Sequence, residues 1–116
     1  MTVLVTGDRN WSNEKTILRE LQKLSKNTTI VQGGAKGADS LAAKVGKELG
    51  LKVITVKADW SKFGRAAGPI RNKVMLEKYN PDLVLAFHGN IESSKGTKDM
   101  ITRAQKAGKK VILYAS

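Results

Sequence analysis

The chain has 116 residues, of which 41% are hydrophobic and 27% are charged, which excludes disordered and fibrous proteins. Because it contains no cysteine, disulfides, thiolate catalysis and cysteine-based zinc sites are excluded as well. The formal net charge of +11 allows a nucleic-acid partner, an anionic small ligand or only a soluble surface. This length suits one hydrophobic core, so we predict a single domain, residues 1–116.

The first strand–helix unit is predicted near the N-terminus. The strand Thr2–Thr6 is apolar but lacks the basic leader and long apolar core of a signal peptide, and no run approaches membrane-spanning length. We therefore expect a cytoplasmic protein with no membrane partner. Ser12 is the predicted N-cap of the first helix. The apolar face of that helix comprises Ile17, Leu21 and Leu24.

A glycine-rich loop joins the second strand, Thr28–Gln32, to the second helix. Gly33, Gly34 and Gly37 allow a tight turn and a close approach of the backbone to a ligand, while the N–H groups of the helix start face the same point. The loop therefore predicts a phosphate-sized anion site. It is neither a Walker A loop nor a complete G-x-G-x-x-G, and a tight turn without a ligand is the alternative.

The rest of the chain continues the alternation. The second helix presents Leu41, Val45 and Leu49 and ends at Gly50. The third strand is Lys52–Lys57, and after a long connection Pro69 is predicted at the first position of the third helix, where Ile70, Val74 and Glu77 share a face. The final elements are the apolar strand Leu83–Phe87, a fourth helix with Met100, Ala104 and Ala107 before Gly108, and the strand Val111–Tyr114.

Alternating strands and helices predict an α/β fold, with a five-stranded parallel sheet and helices on both faces. Eight glycines then gather near the carboxyl edge of this sheet, where open α/β sheets bind ligands. They are Gly7, Gly33, Gly34, Gly37, Gly64, Gly68, Gly89 and Gly96.

Cations and aromatic rings dominate the loops at this edge. Arg9, Arg65 and Arg71 offer planar donors suited to phosphate, and Lys36 adds charge. A base or other ring can stack on Trp11, Trp60 or Phe63. These side chains together predict a phosphorylated, ring-containing ligand such as a nucleotide.

Several of these residues have a competing interpretation. Arg71 can instead pair with Glu77 or Asp59 on the surface, and Trp60 can cover the core rather than stack on a ligand. Asp39 can cap the second helix or contact a ribose hydroxyl.

The residue pattern supports neither a metal site, nor a Ser-His-Asp catalytic triad, nor a dinucleotide-binding site. His88 is the single histidine and lacks acidic or cysteine companions at ligand spacing, so we expect no metal. There is no Ser-His-Asp order or nucleophile elbow. No acidic residue ends the second strand to hold an adenosine ribose, so we expect no NAD and no other cofactor.

Three stretches carry a family resemblance: VTGDRNW at residues 5–11, QGGAKGAD at 32–39, and DW at 59–60 followed by GRAAGPIRN at 64–72. They resemble the YspA-like branch of the SLOG superfamily, which also includes cytokinin-activating phosphoribohydrolases and the DNA-processing protein DprA. The resemblance implies a Rossmann-like three-layer fold, a nucleotide or nucleotide-derived ligand and a homodimer. Relatives in the superfamily cleave an N-glycosidic bond or only sense or sequester the ligand.

The phosphoribohydrolases share an Arg-Lys-x-x-Met helix start and a Pro-Gly-Gly-x-Gly-Thr-x-x-Glu loop. Here Arg71 is retained in the first, followed by Asn72, and Gly96-Thr97 remain from the second. The glutamate position is Met100, and the nearest carboxylate, Asp99, points in another direction along the helix. A displaced carboxylate disfavours hydrolysis, because it can miss the attacking water.

Our leading hypothesis is a nucleotide-binding sensor or sequestering protein, with a phosphoribohydrolase-like N-glycosidase as the alternative. In the hydrolase, Asp99 or Asp39 orients the water. A nucleic-acid-binding module is a second alternative, disfavoured because the lysines are spread over the helices without interleaved aromatics. The predicted ligand-binding residues are Gly7, Arg9, Trp11, Gly33, Gly34, Lys36, Gly37, Asp39, Trp60, Arg65, Gly68, Arg71, Asn72, Gly96 and Thr97.

Overall fold

The structure, a computed structural model, describes residues 1–116 as one five-stranded parallel sheet with helices on both faces. This confirms the α/β fold predicted from the alternation. The strand order is β3-β2-β1-β4-β5. The strands are β1 (Thr2–Gly7), β2 (Thr29–Gln32), β3 (Lys52–Thr55), β4 (Leu83–Phe87) and β5 (Lys110–Tyr114).

Five helices connect these strands, one more than predicted. They are α1 (Glu14–Leu21), α2 (Ala38–Glu48), the single-turn α3 (Trp60–Phe63), α4 (Ala67–Tyr79) and α5 (Gly96–Lys106). Two short 3₁₀ turns lie at Gly64–Ala66 and Ile91–Ser93. No helix is both long enough and apolar enough to cross a membrane.

The two faces of the sheet bury separate apolar clusters, because successive strand residues point to opposite faces. Val3 and Val5 of β1 pack with α1 and α2, whereas Leu4 packs with α4 and α5. The β4 strand is buried along nearly its whole length between these layers. This two-sided burial explains the continuous apolar run at Leu83–Phe87.

The strand order places a crevice at the centre of the carboxyl edge. The chain runs outward from β1 through β2 to β3, then crosses back to the other side of β1 for β4 and β5. The connections of β1 and β4 therefore leave the sheet in opposite directions. Ligands of open α/β sheets bind at such a reversal.

The predicted N-cap of the first helix is wrong by one residue. The side chain of Asn13, not of Ser12, accepts a hydrogen bond from the Thr16 N–H at 3.3 Å. Trp11 turns into the core just before the helix, and its Nε1 donates to the Asn13 carbonyl at 3.0 Å. This contact sets where the helix begins.

The predicted third helix, now α4, differs in its start and in its buried face. It begins at Ala67, so Pro69 occupies the third position, still within the first turn, where an N–H has no helical partner. Ile70 and Val74 are 37% and 38% exposed. The core-facing residues are instead Gly68, Asn72, Met75 and Leu76. The buried face begins with the small Gly68 and the polar Asn72. The apolar periodicity of the sequence therefore predicted the outer face instead.

Gly37 provides the first test of the fold. It has a φ of +77°, and a Cβ at this position would overlap with the backbone oxygen of Asp8. Gly50 has the same φ of +77° but nothing within 4 Å of its Cβ position. We expect Gly50→Ala to lower the free energy of unfolding by about 1–2 kcal/mol. Gly37→Ala should lower it by roughly 1–3 kcal/mol more, because the chain at Asp8 must move.

Urea denaturation of both variants measures this difference. Since the two glycines share a φ of +77°, the excess loss reports the steric overlap together with the extended ψ of −126° at Gly37. Equal losses in the two variants would show that the loop holding Gly37 moves without cost.

Candidate functional site

A cleft of about 1310 Å³ lies across the carboxyl ends of the strands. It is larger than the roughly 300–1,000 Å³ typical of small-molecule pockets. Of its 25 lining residues only three are hydrophobic. A lining this polar suits a ligand that carries charges and many hydrogen-bonding groups.

The structure brings most of the sequence-predicted residues to this one cleft. They reach it from the ends of different strands, from α3 and the 3₁₀ turn after it, from the first two turns of α4 and from the first turn of α5. The lining includes Gly7, Arg9, Gly33, Gly34, Lys36, Asp39, Trp60, Arg65, Gly68, Arg71, Asn72, Gly96, Thr97 and Asp99.

Two predicted ligand-binding residues lie elsewhere. Trp11 is only 9% exposed and packs against Phe87 with ring centroids 5.6 Å apart. It belongs to the core under α1 and does not line the cleft, because its position beside an apolar strand end turns it inward. Gly37 does not line the cleft either; it allows close packing against the backbone of Asp8 and Arg9.

Positive charge predominates in the cleft. Its lining holds six lysine and arginine residues and three aspartates, Asp8, Asp39 and Asp99. The cations are Arg9, Lys36, Lys57, Arg65, Arg71 and Lys95. A concave site with this excess attracts anions, which are concentrated there by the summed field.

Three N–H groups of the glycine loop, those of residues 33–35, are already bonded within the chain. The Asp39 Oδ2 accepts from the N–H of Gly33 at 3.1 Å and of Ala35 at 3.3 Å. The N–H of Gly34 donates to Oε1 of the buried Gln32 at 2.6 Å. The sequence predicts that these amides hold phosphate. An internal carboxylate takes that place instead, a role for Asp39 that differs from a helix cap, a ribose contact or the orientation of a water molecule.

Asp39 is 7% exposed, and this burial has a measurable electrostatic consequence. Desolvation raises the pKa of Asp39 from 3.8 to about 6, although the two loop N–H groups and the positive charge of Arg71 oppose the change. The loop is therefore held by a carboxylate that titrates near neutral pH.

Arg71 lies against the same loop and is held on two sides. Its Nη1 donates to the Gly33 carbonyl at 2.9 Å and its Nε to Asn72 Oδ1 at 3.1 Å. A Cβ on residue 33 would overlap with the guanidinium, so the glycine permits this close approach. The structure shows neither of the surface pairings with Glu77 or Asp59 that were the alternative. Nη2 has no partner in the chain and remains available to a ligand.

A side-chain network joins α4 to α5 beside Arg71. Asn72 Nδ2 donates to Asp99 Oδ2 at 2.9 Å and to the Gly96 carbonyl at 3.3 Å. The same Asp99 oxygen accepts from Arg103 Nε at 2.9 Å. Met100 is fully buried in the core, as its place in the apolar stripe predicts. Asp99 therefore reaches the cleft with one carboxylate oxygen committed to two donors.

Trp60 stands at the rim of the cleft. It is 58% exposed and follows β3 at the start of α3, so it does not cover the core. Its lining position leaves the indole available for stacking on a ring.

Four charged or ionisable residues of the cleft belong to neither the predicted ligand-binding nor the predicted catalytic residues: Asp8, Lys57, His88 and Lys95. Each follows a strand or precedes a helix at the carboxyl edge, and that position is the signal available from the sequence. No three His, Asp or Glu side chains are grouped so that they could hold a metal ion.

Comparison with known proteins identifies related sequences and folds. A family model described as the YspA, cpYpsA-related SLOG family matches residues 1–63. The "Gene 61 protein" of Mycobacterium phage D29 is 35% identical over 121 residues, covering 97% of this chain and 94% of that protein. DNA processing protein A (DprA) from Streptococcus pneumoniae has a similar fold, with a TM-score of 0.80 at 21% identity. That match covers 97% of this chain but only 49% of DprA, about half its length.

Replacing Asp39 tests the charge that holds the loop. The folded carboxyl retains its proton up to about pH 6, so its contribution to stability is present below about pH 4 and is lost as the pH rises through 6. Relative to Asp39→Asn, the wild-type free energy of unfolding should therefore fall by roughly 2–3 kcal/mol between pH 4 and 7.

Urea denaturation across this pH range gives the comparison. Glu77→Gln, at an exposed site, controls for the loss of one negative charge. A difference between wild type and Asp39→Asn that stays constant with pH would contradict the titration of Asp39.

Proposed function

Because the chain belongs to the YspA, cpYpsA-related SLOG family, we propose that its cleft binds a nucleotide or nucleotide-derived signalling ligand, as a sensor or sequestering protein. The observation that carries this proposal is the cationic cleft built around Arg71. Six cations line it and the free Nη2 of Arg71 points to no partner in the chain.

The proposed phosphate contacts come from side chains rather than from the N–H groups of residues 33–35. Asp39 and Gln32 already occupy the N–H groups of residues 33–35. Arg71 is preoriented by its bonds to Gly33 and Asn72, so little side-chain entropy is lost when a phosphate binds. Arg9, Lys36 and Lys95 add charge from other loops.

Trp60 supports a ring in the ligand. Its indole is largely exposed beside a charged cleft, where an aromatic side chain gains most by stacking on a flat partner. A base stacked there and a phosphate at Arg71 together define a nucleotide.

The hydrogen bonds of the two candidate catalytic carboxylates, Asp99 and Asp39, favour binding without cleavage. One oxygen of Asp99 accepts hydrogen bonds from Asn72 and Arg103, and one oxygen of Asp39 accepts from loop N–H groups. Each carboxylate therefore has one oxygen engaged within the chain. This limits the positions at which it can activate a water molecule. The phosphoribohydrolase reaction, nucleoside phosphate plus water giving base and ribose phosphate, is the alternative.

Nucleic-acid binding is the second alternative, favoured by the net charge of +11. The structural neighbour is named a DNA processing protein, and the cleft volume of about 1310 Å³ exceeds the usual range for small-molecule pockets. We rank it below nucleotide binding because the cations converge on one cleft instead of forming an extended stripe.

We also propose a homodimer formed through α3 and α4. Four of the seven exposed large apolar side chains lie on these two helices: Trp60, Phe63, Ile70 and Val74. The last three flank a shallow apolar groove next to Val56. Such a concentration on one face favours association with another protein surface, and the family resemblance implies a second copy.

The nucleotide proposal is tested by replacing Arg71. We expect Arg71→Ala to weaken binding of nucleoside 5′-monophosphates by about 10- to 100-fold or more, since it removes a charged hydrogen-bonding group. Lys73→Ala is the matched control, because Lys73 is an exposed cation on the same helix. Asp99→Asn should preserve binding. Calorimetry on a panel of monophosphates, cyclic nucleotides and ADP-ribose compounds gives the affinities.

Chromatography with mass detection of the same mixtures separates the alternatives. Intact ligand released from the protein by heat supports a sensor or sequestering role, and free base supports hydrolysis. Equal affinity of wild type and Arg71→Ala would contradict the site. Steep loss of oligonucleotide affinity with salt, without mononucleotide binding, would favour nucleic acid.

The homodimer is tested with Ile70→Lys and Leu18→Lys. Both side chains are 37% exposed, but Leu18 lies on α1 at the opposite face of the sheet. Light scattering should give about twice the 12.6 kDa chain mass for wild type and Leu18→Lys, and the monomer mass for Ile70→Lys. A monomeric wild type would contradict the proposal.

A further inference from the structure

Asp8 and His88 face each other at the centre of the carboxyl edge. β1 and β4 are neighbours in register, with Gly7 opposite Phe87, and the two residues follow these strand ends directly. The strand connections reverse between β1 and β4. Both side chains line the cleft at this reversal, where a ligand of an open α/β sheet is expected.

The backbone holds both residues firmly. The Asp8 N–H donates to the Phe87 carbonyl at 2.8 Å, and the Asp8 carbonyl accepts from the N–H groups of Trp11 and Ala38, both at 3.1 Å. The His88 N–H donates to the Tyr114 carbonyl at 2.9 Å. The two side chains therefore extend from fixed points, and a ligand does not have to order them.

Local hydrogen bonds also fix what each side chain presents. The Nδ1 of His88 accepts from the Asn90 N–H at 2.9 Å, so in the neutral imidazole Nε2 carries the proton. The Oδ1 of Asp8 accepts from the Asn10 N–H at 2.9 Å, which leaves Oδ2 as the free acceptor. One donor and one acceptor thus remain at this point of the cleft.

The remaining donor and acceptor do not satisfy each other. His88 Nε2 and Asp8 Oδ2 are 3.8 Å apart, beyond hydrogen-bonding distance. An oxygen placed about 2.8 Å from both atoms would complete the pair, because that spacing suits both bonds. The group required must donate one hydrogen bond and accept another through the same atom, and a hydroxyl does so.

We propose that Asp8 and His88 bind the 2′- or 3′-hydroxyl of the sugar of the nucleotide ligand and so discriminate against the analogue that lacks that hydroxyl. The hydroxyl donates to Asp8 Oδ2 and accepts from His88 Nε2. This inference rests on the proposed nucleotide-binding function. It assigns residues that bind the sugar, in a site where the cations are proposed to bind phosphate and Trp60 to stack on the base.

The other parts of a nucleotide fit this pair less well. A phosphate fully ionised has no O–H to donate and is repelled by the carboxylate of Asp8. The base stacks more favourably on the exposed indole of Trp60, which follows β3, two strands along the sheet from β1. A sugar hydroxyl both donates and accepts, so it supplies the group that this donor–acceptor pair lacks.

Affinity for deoxy analogues tests the inference. The four ribonucleoside 5′-monophosphates are titrated first, and the tightest is compared with its 2′-deoxy and 3′-deoxy analogues. For wild type we expect one deoxy analogue to bind about 10- to 100-fold more weakly, because a charged hydrogen bond is lost and a site group stays unpaired.

Two variants remove one partner each and should abolish this discrimination. His88→Asn keeps an acceptor near the Nδ1 position for the Asn90 N–H but lacks Nε2. Asp8→Asn keeps Oδ1 bonded to the Asn10 N–H, so its amide presents Nδ2 in place of the acceptor Oδ2. His88→Gln, which can place an amide N–H near the Nε2 position, should restore part of the preference.

Glu77→Gln, on the exposed face of α4, should retain the full preference and controls for the change in charge. Equal affinity of wild type for the ribonucleotide and both deoxy analogues would overturn the inference while leaving nucleotide binding intact. Undiminished discrimination in Asp8→Asn would overturn it as well, even if His88→Asn fails to fold. If wild type binds none of the monophosphates, the inference fails; if it binds none of the cyclic nucleotides and ADP-ribose compounds either, the proposed function fails as well.

Discussion

The buried carboxylate of Asp39 is the interaction around which the cleft is built. It spans the turn between β2 and α2 by accepting from two loop N–H groups, and Gln32 accepts from the N–H between them. Desolvating a carboxylate is costly, and here hydrogen bonds and the neighbouring Arg71 offset only part of that cost. The N–H groups of residues 33–35 are consequently closed to a ligand, and recognition at this point of the cleft falls to the side chains around them.

Arg71 connects this closed loop to the opposite helical layer. Its guanidinium bonds to the loop carbonyl of Gly33, and its neighbour Asn72 bonds to Asp99 at the start of α5. The two walls of the cleft are thus joined by polar contacts across the carboxyl edge. A charge held in this way is oriented before any ligand arrives, which lowers the entropic cost of binding.

The sequence predicts the sheet and the place of the cleft better than it predicts individual contacts. The alternation of elements and the glycines after strand ends carry that information, as at Leu83–Phe87 and Gly33. The inward turn of Trp11 and the buried face of α4 depend on tertiary packing, which overrides local apolar periodicity. The pairing of Asp8 with His88 depends on strand order, because residues 80 apart meet only when β1 and β4 are neighbours.

That strand order also governs when the cleft can exist during synthesis. β1 forms its five-pair ladder with β4, whereas it shares only three pairs with β2. At about 5–20 residues per second, β4 leaves the ribosome roughly 4–16 s after β1. Until then the central strand has one open edge and one uncovered face. The first half of the chain therefore passes through an aggregation-prone interval that ends when β4 inserts.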